Sequence, residues 1–128
     1  MNSFDSVISG ELRSRLGGIR ASGSGEFECD VDFDPAFRGF EGHFPGHPIV
    51  PGVCLTELVR VMFEAAVGHA FRCSEISQCR FRRPVTAGDA VKCRLRVMKR
   101  DTSRVKLNAD LTVNGAPACQ LRMTLEES

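Results

Sequence analysis

One segment constrains this chain more than any other. Residues 52 to 67 read as a helix that is apolar on nearly every side, with no polar stripe wide enough for a surface position. A helix of that kind is buried. With 128 residues there is material for one domain and one core, so the rest of the chain has to wrap the helix. The remaining sequence supplies a wrapper. Phe27, Cys29, Val31 and Phe33 alternate with acids over 26 to 33. Val91, Cys93, Leu95 and Val97 alternate with basic residues, Val105 to Val113 alternate next, and Leu121, Met123 and Leu125 mark a last strand. Alternation with period two gives each strand one apolar face. An antiparallel sheet with one apolar face and a single long apolar helix leave few packings other than an α+β domain, a sheet curled about that helix.

Punctuation along the chain fits this plan. Phe4, Val7, Ile8, Leu12 and Leu16 have helical spacing, which predicts a short N-terminal helix within residues 1 to 16, stopped by Gly17-Gly18. Residues 21 to 25 (ASGSG) read as a turn, Asp34-Pro35 ends the first strand, and strand signals resume near Ile76 after Gly68-His69. Asn114-Gly115 is a strong two-residue hairpin signal. No repeat or low-complexity stretch interrupts the domain.

Between the first strand and the helix lies a stiff loop, residues 39 to 52. Three prolines (Pro45, Pro48, Pro51) and four glycines (Gly39, Gly42, Gly46, Gly52) fall within its fourteen residues, fixing the backbone around His43. Glu57, Arg60 and Glu64 share one face of the following helix. Buried carboxylates are costly unless paired or functional. A self-neutralising Glu57-Arg60-Glu64 cluster and a working carboxylate are both open at this level.

The residues His43-Phe44-Pro45-Gly46, then Pro48-Ile49-Val50-Pro51-Gly52-Val53, then Leu55-Thr56-Glu57, resemble the 3-hydroxyacyl-acyl carrier protein dehydratases of the hot-dog fold, the FabZ and FabA type. The resemblance continues through Cys79-Arg80-Phe81-Arg82-Arg83-Pro84-Val85 and Ala87-Gly88-Asp89, and covers the chain from about Gly25 onward. It implies a loop histidine and a helix carboxylate fourteen residues apart, the spacing of His43 and Glu57. In such a site His43, with an ordinary pKa near about 6.5, suits the base that takes the C2 proton. Glu57 on a buried helix is expected to be desolvated and to keep a proton for the leaving hydroxyl. The resemblance further implies that the Gly52 amide polarises the thioester carbonyl at the helix N-terminus, with Phe44 and Val53 beside the substrate. It also implies a homodimer whose two sites are shared between subunits. No cofactor is expected, because phosphopantetheine arrives on the substrate's carrier. Three features depart from the family pattern: Val61 stands where an amide is usual, Arg60 where a small residue is common, and the chain has no tyrosine.

Charge suggests how a carrier could dock. The net charge of +1 makes no case for nucleic acid, but residues 1 to 71 hold five Lys/Arg against ten Asp/Glu and residues 72 to 106 hold eleven against three. Acyl carrier proteins are typically acidic, so Arg80, Arg82 and Arg83, with Lys92, Arg94 and Arg96 in the same basic half, form the expected docking face. The six cysteines lack Cys-x-x-Cys spacing and read as free thiols of a reducing compartment, mostly buried, with no metal site. His47 and His69 have no evident role. Neither a signal segment nor a span of the roughly 20 apolar residues needed to cross a membrane is recognisable, so a cytoplasmic protein is expected. The activity expected is dehydration of a 3-hydroxyacyl thioester on acyl carrier protein. The alternatives are a thioesterase or a hydratase of coenzyme A esters on the same fold, or a non-catalytic dehydratase-like partner subunit.

Overall fold

The structure is a computed structural model that describes residues 3–40, 46 and 48–128. Two α-helices, α1 (Ser3–Ser14) and α2 (Gly52–Val67), accompany six strands: β1 (Arg20–Gly23), β2 (Glu26–Asp32), β3 (Phe71–Phe81), β4 (Ala90–Arg100), β5 (Arg104–Val113) and β6 (Ala116–Glu127). All strand pairs are antiparallel, in the order β1-β2-β4-β5-β6-β3. The chain therefore leaves β2, runs through α2, enters the far edge as β3 and returns to place β4 beside β2. Cys29, Val31, Val91, Cys93, Leu95, Leu107, Leu111, Leu121, Met123 and Leu125 turn their alternate positions inward, against Leu58, Val59, Met62 and Phe63 of α2. Burying aliphatic side chains of this size contributes about 1.5–3 kcal/mol each relative to exposure, which is why period-two strands and one apolar helix fix the architecture.

The expected buried helix spans Gly52–Val67, and α1 covers its outer side with Ile8 and Leu12. Asn114 and Gly115 both take positive φ, 51° and 85°, in the β5–β6 turn, as a two-residue hairpin requires. Three expectations need correction. The stretch 21 to 25 is only partly a turn, since β1 reaches Gly23 and pairs with β2, leaving Ser24-Gly25 at the hairpin tip. The helix within residues 1 to 16 ends at Ser14, and Leu16 instead forms an isolated bridge with Val31. Strand β3 begins at Phe71, not near Ile76. Of its residues only Phe71 is fully buried, so an edge strand lacking a covered face carries no alternation to read.

Candidate active site

The loop of residues 39 to 52 is fixed at both ends. Phe33, Phe37 and Phe40 stack edge to face, with ring centroids 5.1 and 5.3 Å apart, and the Arg15 guanidinium lies 5.2 Å from the Phe37 centroid. Downstream, the Val50 N–H donates to the Val85 carbonyl at 2.8 Å, and Ile49 bridges Thr86. Asp89 Oδ2 accepts from the Thr86 N–H and hydroxyl at 2.8 and 2.9 Å, holding the turn that meets the loop. Two stretches that carry the family resemblance, residues 48–53 and 79–89, are thus zipped together in space. His43 and Phe44, and His47 with them, lie outside the described residues.

Helix α2 starts with Pro51 as its cap, without a side-chain hydrogen bond to the cap. Its first amides have no carbonyl within the helix to bond, and the dipole places partial positive charge there. Gly52 is the first residue of this turn, and Phe81 lies directly against it: a Cβ added to Gly52 would stand 2.8 Å from the ring's Cζ. Only glycine permits that approach. Phe81 is nevertheless 52% exposed, and its chain neighbours Arg80 and Arg82 are exposed as well. Sequence reasoning did not single out Phe81 for a site role. Its position before Arg-Arg-Pro gave no sign that the ring would reach the helix start. Val53, the next residue of α2, is exposed at the same end.

Glu57 projects from the second turn of α2 and is engaged by a guanidinium. Arg60 Nε donates to Glu57 Oε1 at 2.6 Å, and Arg60 Nη2 contacts the same oxygen. The Ser9 hydroxyl of α1 donates to Oε1 as well, at 3.3 Å. Among the described residues nothing hydrogen-bonds Oε2, and the Glu57 side chain keeps 25% exposure. Arg60 Nη1 spans to Glu64 Oε2 at 2.7 Å and to the Phe71 carbonyl at 3.1 Å, while the Phe71 N–H donates to Glu64 Oε2 at 2.7 Å. Arg13 of α1 adds a contact to Glu64 Oε1 at 3.0 Å. Burial opposes the charge on Arg60, but the hydrogen bonds and charges of Glu57 and then Glu64 outweigh it and raise its pKa above the ordinary value.

The full desolvation expected of Glu57 is not found: its side chain keeps 25% exposure and is engaged by Arg60. Glu57 is a half-buried carboxylate paired with Arg60, as the shared helix face allowed. Ser9 and Arg13 complete the cluster and went unnoticed in the sequence. They stand four apart on one face of α1, but spacing gives no sign that this face meets α2.

The basic half of the chain does not form one surface. Lys92, Arg94 and Arg96 pair in register with Asp30, Glu28 and Glu26 of β2, and Arg94 bonds Glu28 at 3.2 Å. That hydrogen bond, joined by the nearby Lys92 and Arg20 and opposed by desolvation, holds Glu28 below the ordinary carboxylate range. Strands β5 and β6 separate this row from Arg80, Arg82 and Arg83. Those three are exposed at and just beyond the end of β3, with Arg82 donating to Gln120 Oε1 at 3.2 Å. Among the described residues no cluster of His, Cys, Asp and Glu has the arrangement to hold a metal, and no helix is long and apolar enough to cross a membrane.

Comparison with known proteins decides the family. The sequence model of the ApeI dehydratase family, described as ApeI-like, matches residues 20–121. The chain belongs to the ApeI-like dehydratase family. Among its relatives, the 3-hydroxyacyl-[acyl-carrier-protein] dehydratase FabZ of Haemophilus influenzae is 36% identical over 92 residues, 66% of this chain and 62% of the relative. FabZ of Blochmanniella floridana is 32% identical over 103 residues, 73% of this chain and 67% of the relative. The match to the H. influenzae enzyme thus spans slightly under two thirds of its length. In three dimensions the ApeI-like chain is similar to a subunit of the dehydratase heterocomplex ApeI:P from Xenorhabdus doucetiae, with TM-score 0.71, 21% identity and coverage of 87% of this chain and 96% of that one. It is also similar to the PaaI protein of E. coli, with TM-score 0.69, 16% identity and coverage of 96% and 89%. At these identities the structural likeness establishes the hot-dog fold.

Proposed function

We propose that this protein removes water from a 3-hydroxyacyl thioester carried by acyl carrier protein, giving the trans-2-enoyl thioester, as a hydro-lyase of acyl-chain biosynthesis. The observation that carries the reading is Glu57. It stands where the dehydratase motif has its acid, in the second turn of α2, in a chain matched by a dehydratase family over residues 20–121. Glu57 and His43 are the two side chains proposed to act on the reacting carbons. The Gly52 amide is the proposed donor to the thioester oxygen, with Phe44 and Val53 beside the acyl chain. No cofactor of the protein's own is needed, since the phosphopantetheine belongs to the carrier. Incubation with a 3-hydroxyacyl carrier followed by mass spectrometry tests the reading: loss of water supports it, whereas free thiol with the released acid would make the protein a thioesterase.

The proposed carrier is acidic and docks on Arg80, Arg82 and Arg83, which flank the Phe81 ring at the helix start. The expected working unit is a cytoplasmic homodimer. Strand β3 supports it: eleven residues at the sheet edge carry an unpaired row of backbone groups, and Ile76 is 45% exposed. Such an edge invites pairing with a second copy. The Glu57–Arg60 ion pair favours a second reading, a non-catalytic dehydratase-like partner. Turnover only in the presence of an active homologue would select it.

A further inference from the structure

Strand β3 reads almost the same in both directions. Over Phe71–Phe81 the sequence FRCSEISQCRF sets Phe71, Arg72 and Cys73 as far before Ile76 as Phe81, Arg80 and Cys79 stand after it. Bulges at Ser74 and Ser77 in the pairing with β6 shift which side chains face inward. Cys73, Ile76, Cys79 and Phe81 stand opposite Leu125, Met123, Leu121 and Cys119, all core residues, so their side chains share the inner face of the sheet. Ile76 and Phe81 nevertheless keep 45% and 52% exposure, and Cys73 and Cys79 are the only exposed cysteines of the six. Cysteine is among the most buried residue types, so two left uncovered on one strand need a partner.

Cys73 and Cys79 cannot meet within one chain. Six residues of strand hold them about 20 Å apart, whereas a disulfide spans Cα atoms about 4.4–6.8 Å apart. A second copy removes the obstacle. The free edge of β3 can pair with itself, antiparallel, about a two-fold axis, the symmetry of an isologous contact. Only the register centred on Ile76 sets every inward residue opposite an inward residue: Phe71 opposite Phe81, Cys73 opposite Cys79, and Ile76 opposite itself. Directly opposed residues of antiparallel strands have Cα atoms about 4.5–5.5 Å apart, within reach of a disulfide. The same register sets Arg72 opposite Arg80, a like-charge pair, but Arg72 already donates to Glu126 at 2.6 Å.

We propose that Cys73 of each copy faces Cys79 of the other across a β3–β3 edge centred on Ile76, and that a peroxide closes the two thiol pairs into symmetric interchain disulfides. This rests on the homodimer of the reading above and gives it a register and a covalent lock. In each pair one thiol sulfur attacks hydrogen peroxide, the O–O bond breaks, and a sulfenic acid and one water result. The facing thiol then attacks the sulfenic sulfur, the S–O bond breaks and a second water leaves. Two thiols lose two electrons and two protons, and one peroxide becomes two waters. In a reducing compartment the pairs rest as thiols, and the lock closes only under oxidant.

The test is to treat the reduced, purified protein with hydrogen peroxide and run it on non-reducing electrophoresis. The wild type should move to a band at twice the 14.0 kDa chain mass and return with dithiothreitol. Cys73→Ser and Cys79→Ser, both at exposed positions where folding is expected to be unaffected, should each lose that band. The two variants, mixed and allowed to exchange subunits, should regain it, because one Cys73 then faces one Cys79. Ile76→Cys in a chain also carrying Cys73→Ser and Cys79→Ser should crosslink to its own copy. A band that persists in either single variant, a ladder above the dimer, or a wild-type dimer that peroxide leaves uncrosslinked overturns the inference. Sedimentation velocity of the untreated protein separates the failures. A monomer refutes the parent homodimer, whereas a dimer without these crosslinks refutes this inference alone.

Discussion

Glu64→Ala tests whether the ion cluster holds α1, α2 and β3 together. Glu64 is 9% exposed and accepts three hydrogen bonds: from Arg60 at 2.7 Å, from the Phe71 N–H at 2.7 Å and from Arg13 at 3.0 Å. Truncating one partner of a buried charge pair costs roughly 3–5 kcal/mol, chiefly because the other charge is left uncompensated. Arg13 is half exposed, so its share is nearer the few tenths of a kcal/mol of a surface pair. A total of about 3–5 kcal/mol corresponds to a fall in Tm of roughly 10 to 25 °C for a domain of this size. Circular dichroism melts of the wild type, Glu64→Ala and Glu64→Gln would measure it. The glutamine keeps an acceptor for the Phe71 N–H and should fall between the other two. Glu127→Ala, at the exposed end of β6, serves as a control expected within about 0.5 kcal/mol. A Glu64→Ala melt within about 3 °C of wild type would refute the argument, showing that the cluster contributes no more than a solvated surface network.

The other predictions concern assembly, docking and the thiols. Mixing inactive His43→Ala and Glu57→Gln chains should restore part of the dehydration through hybrid sites, and no return of activity after demonstrated subunit exchange would sink the shared-site dimer. Ile76→Lys should shift the protein towards monomer in sedimentation velocity, because it puts a charge in the middle of the exposed edge; an unchanged sedimentation coefficient would place the interface elsewhere. Charge reversal at Arg82 and Arg83 should raise KM for carrier-bound substrate, with the effect shrinking in high salt, and leave a pantetheine thioester unaffected. Burial pushes the Cys29 thiol up to about 11, beyond the smaller influence of Asp30, and burial likewise pushes Cys54 up to about 11, from an ordinary 9.0. The folded state then retains protons that the unfolded state releases, so this stability is fully present below about pH 9 and is lost as pH rises through about 11. Melts at pH 8 and pH 10.5 should show the decline, and a smaller decline in Cys29→Ala protein would assign part of it.

How much of this protein was legible in advance varied with the source of the signal. Strands whose side chains face a core on one side and water on the other write that division into the sequence as alternation, so β2, β4, β5 and β6 could be read directly. The helix from Gly52 to Val67 declared itself by the opposite sign, an absence of any polar face, and Asn114-Gly115 by a backbone demand that few residue pairs meet. The motif around Glu57 was likewise local, and it led to the family that residues 20–121 confirm. By contrast, β3 is buried only at Phe71 and so lacked a pattern. Its place at the far edge of the sheet follows from the crossover through α2, not from its composition.

The ionic state of the site belonged to tertiary structure altogether. Sequence put Glu57, Arg60 and Glu64 on one helix face but could not choose between a self-neutralising cluster and a free acid, because side-chain rotamers and neighbours decide that choice. Packing of α1 brought Ser9 and Arg13 to the face, and the start of β3 brought the Phe71 backbone. Together they fixed the guanidinium on one oxygen of Glu57. The basic half was misread for the same reason. Lys92, Arg94 and Arg96 are consecutive alternate positions in sequence, but cross-strand register sets each beside an acid of β2, and charge counted along a chain does not report which strand will lie next to it.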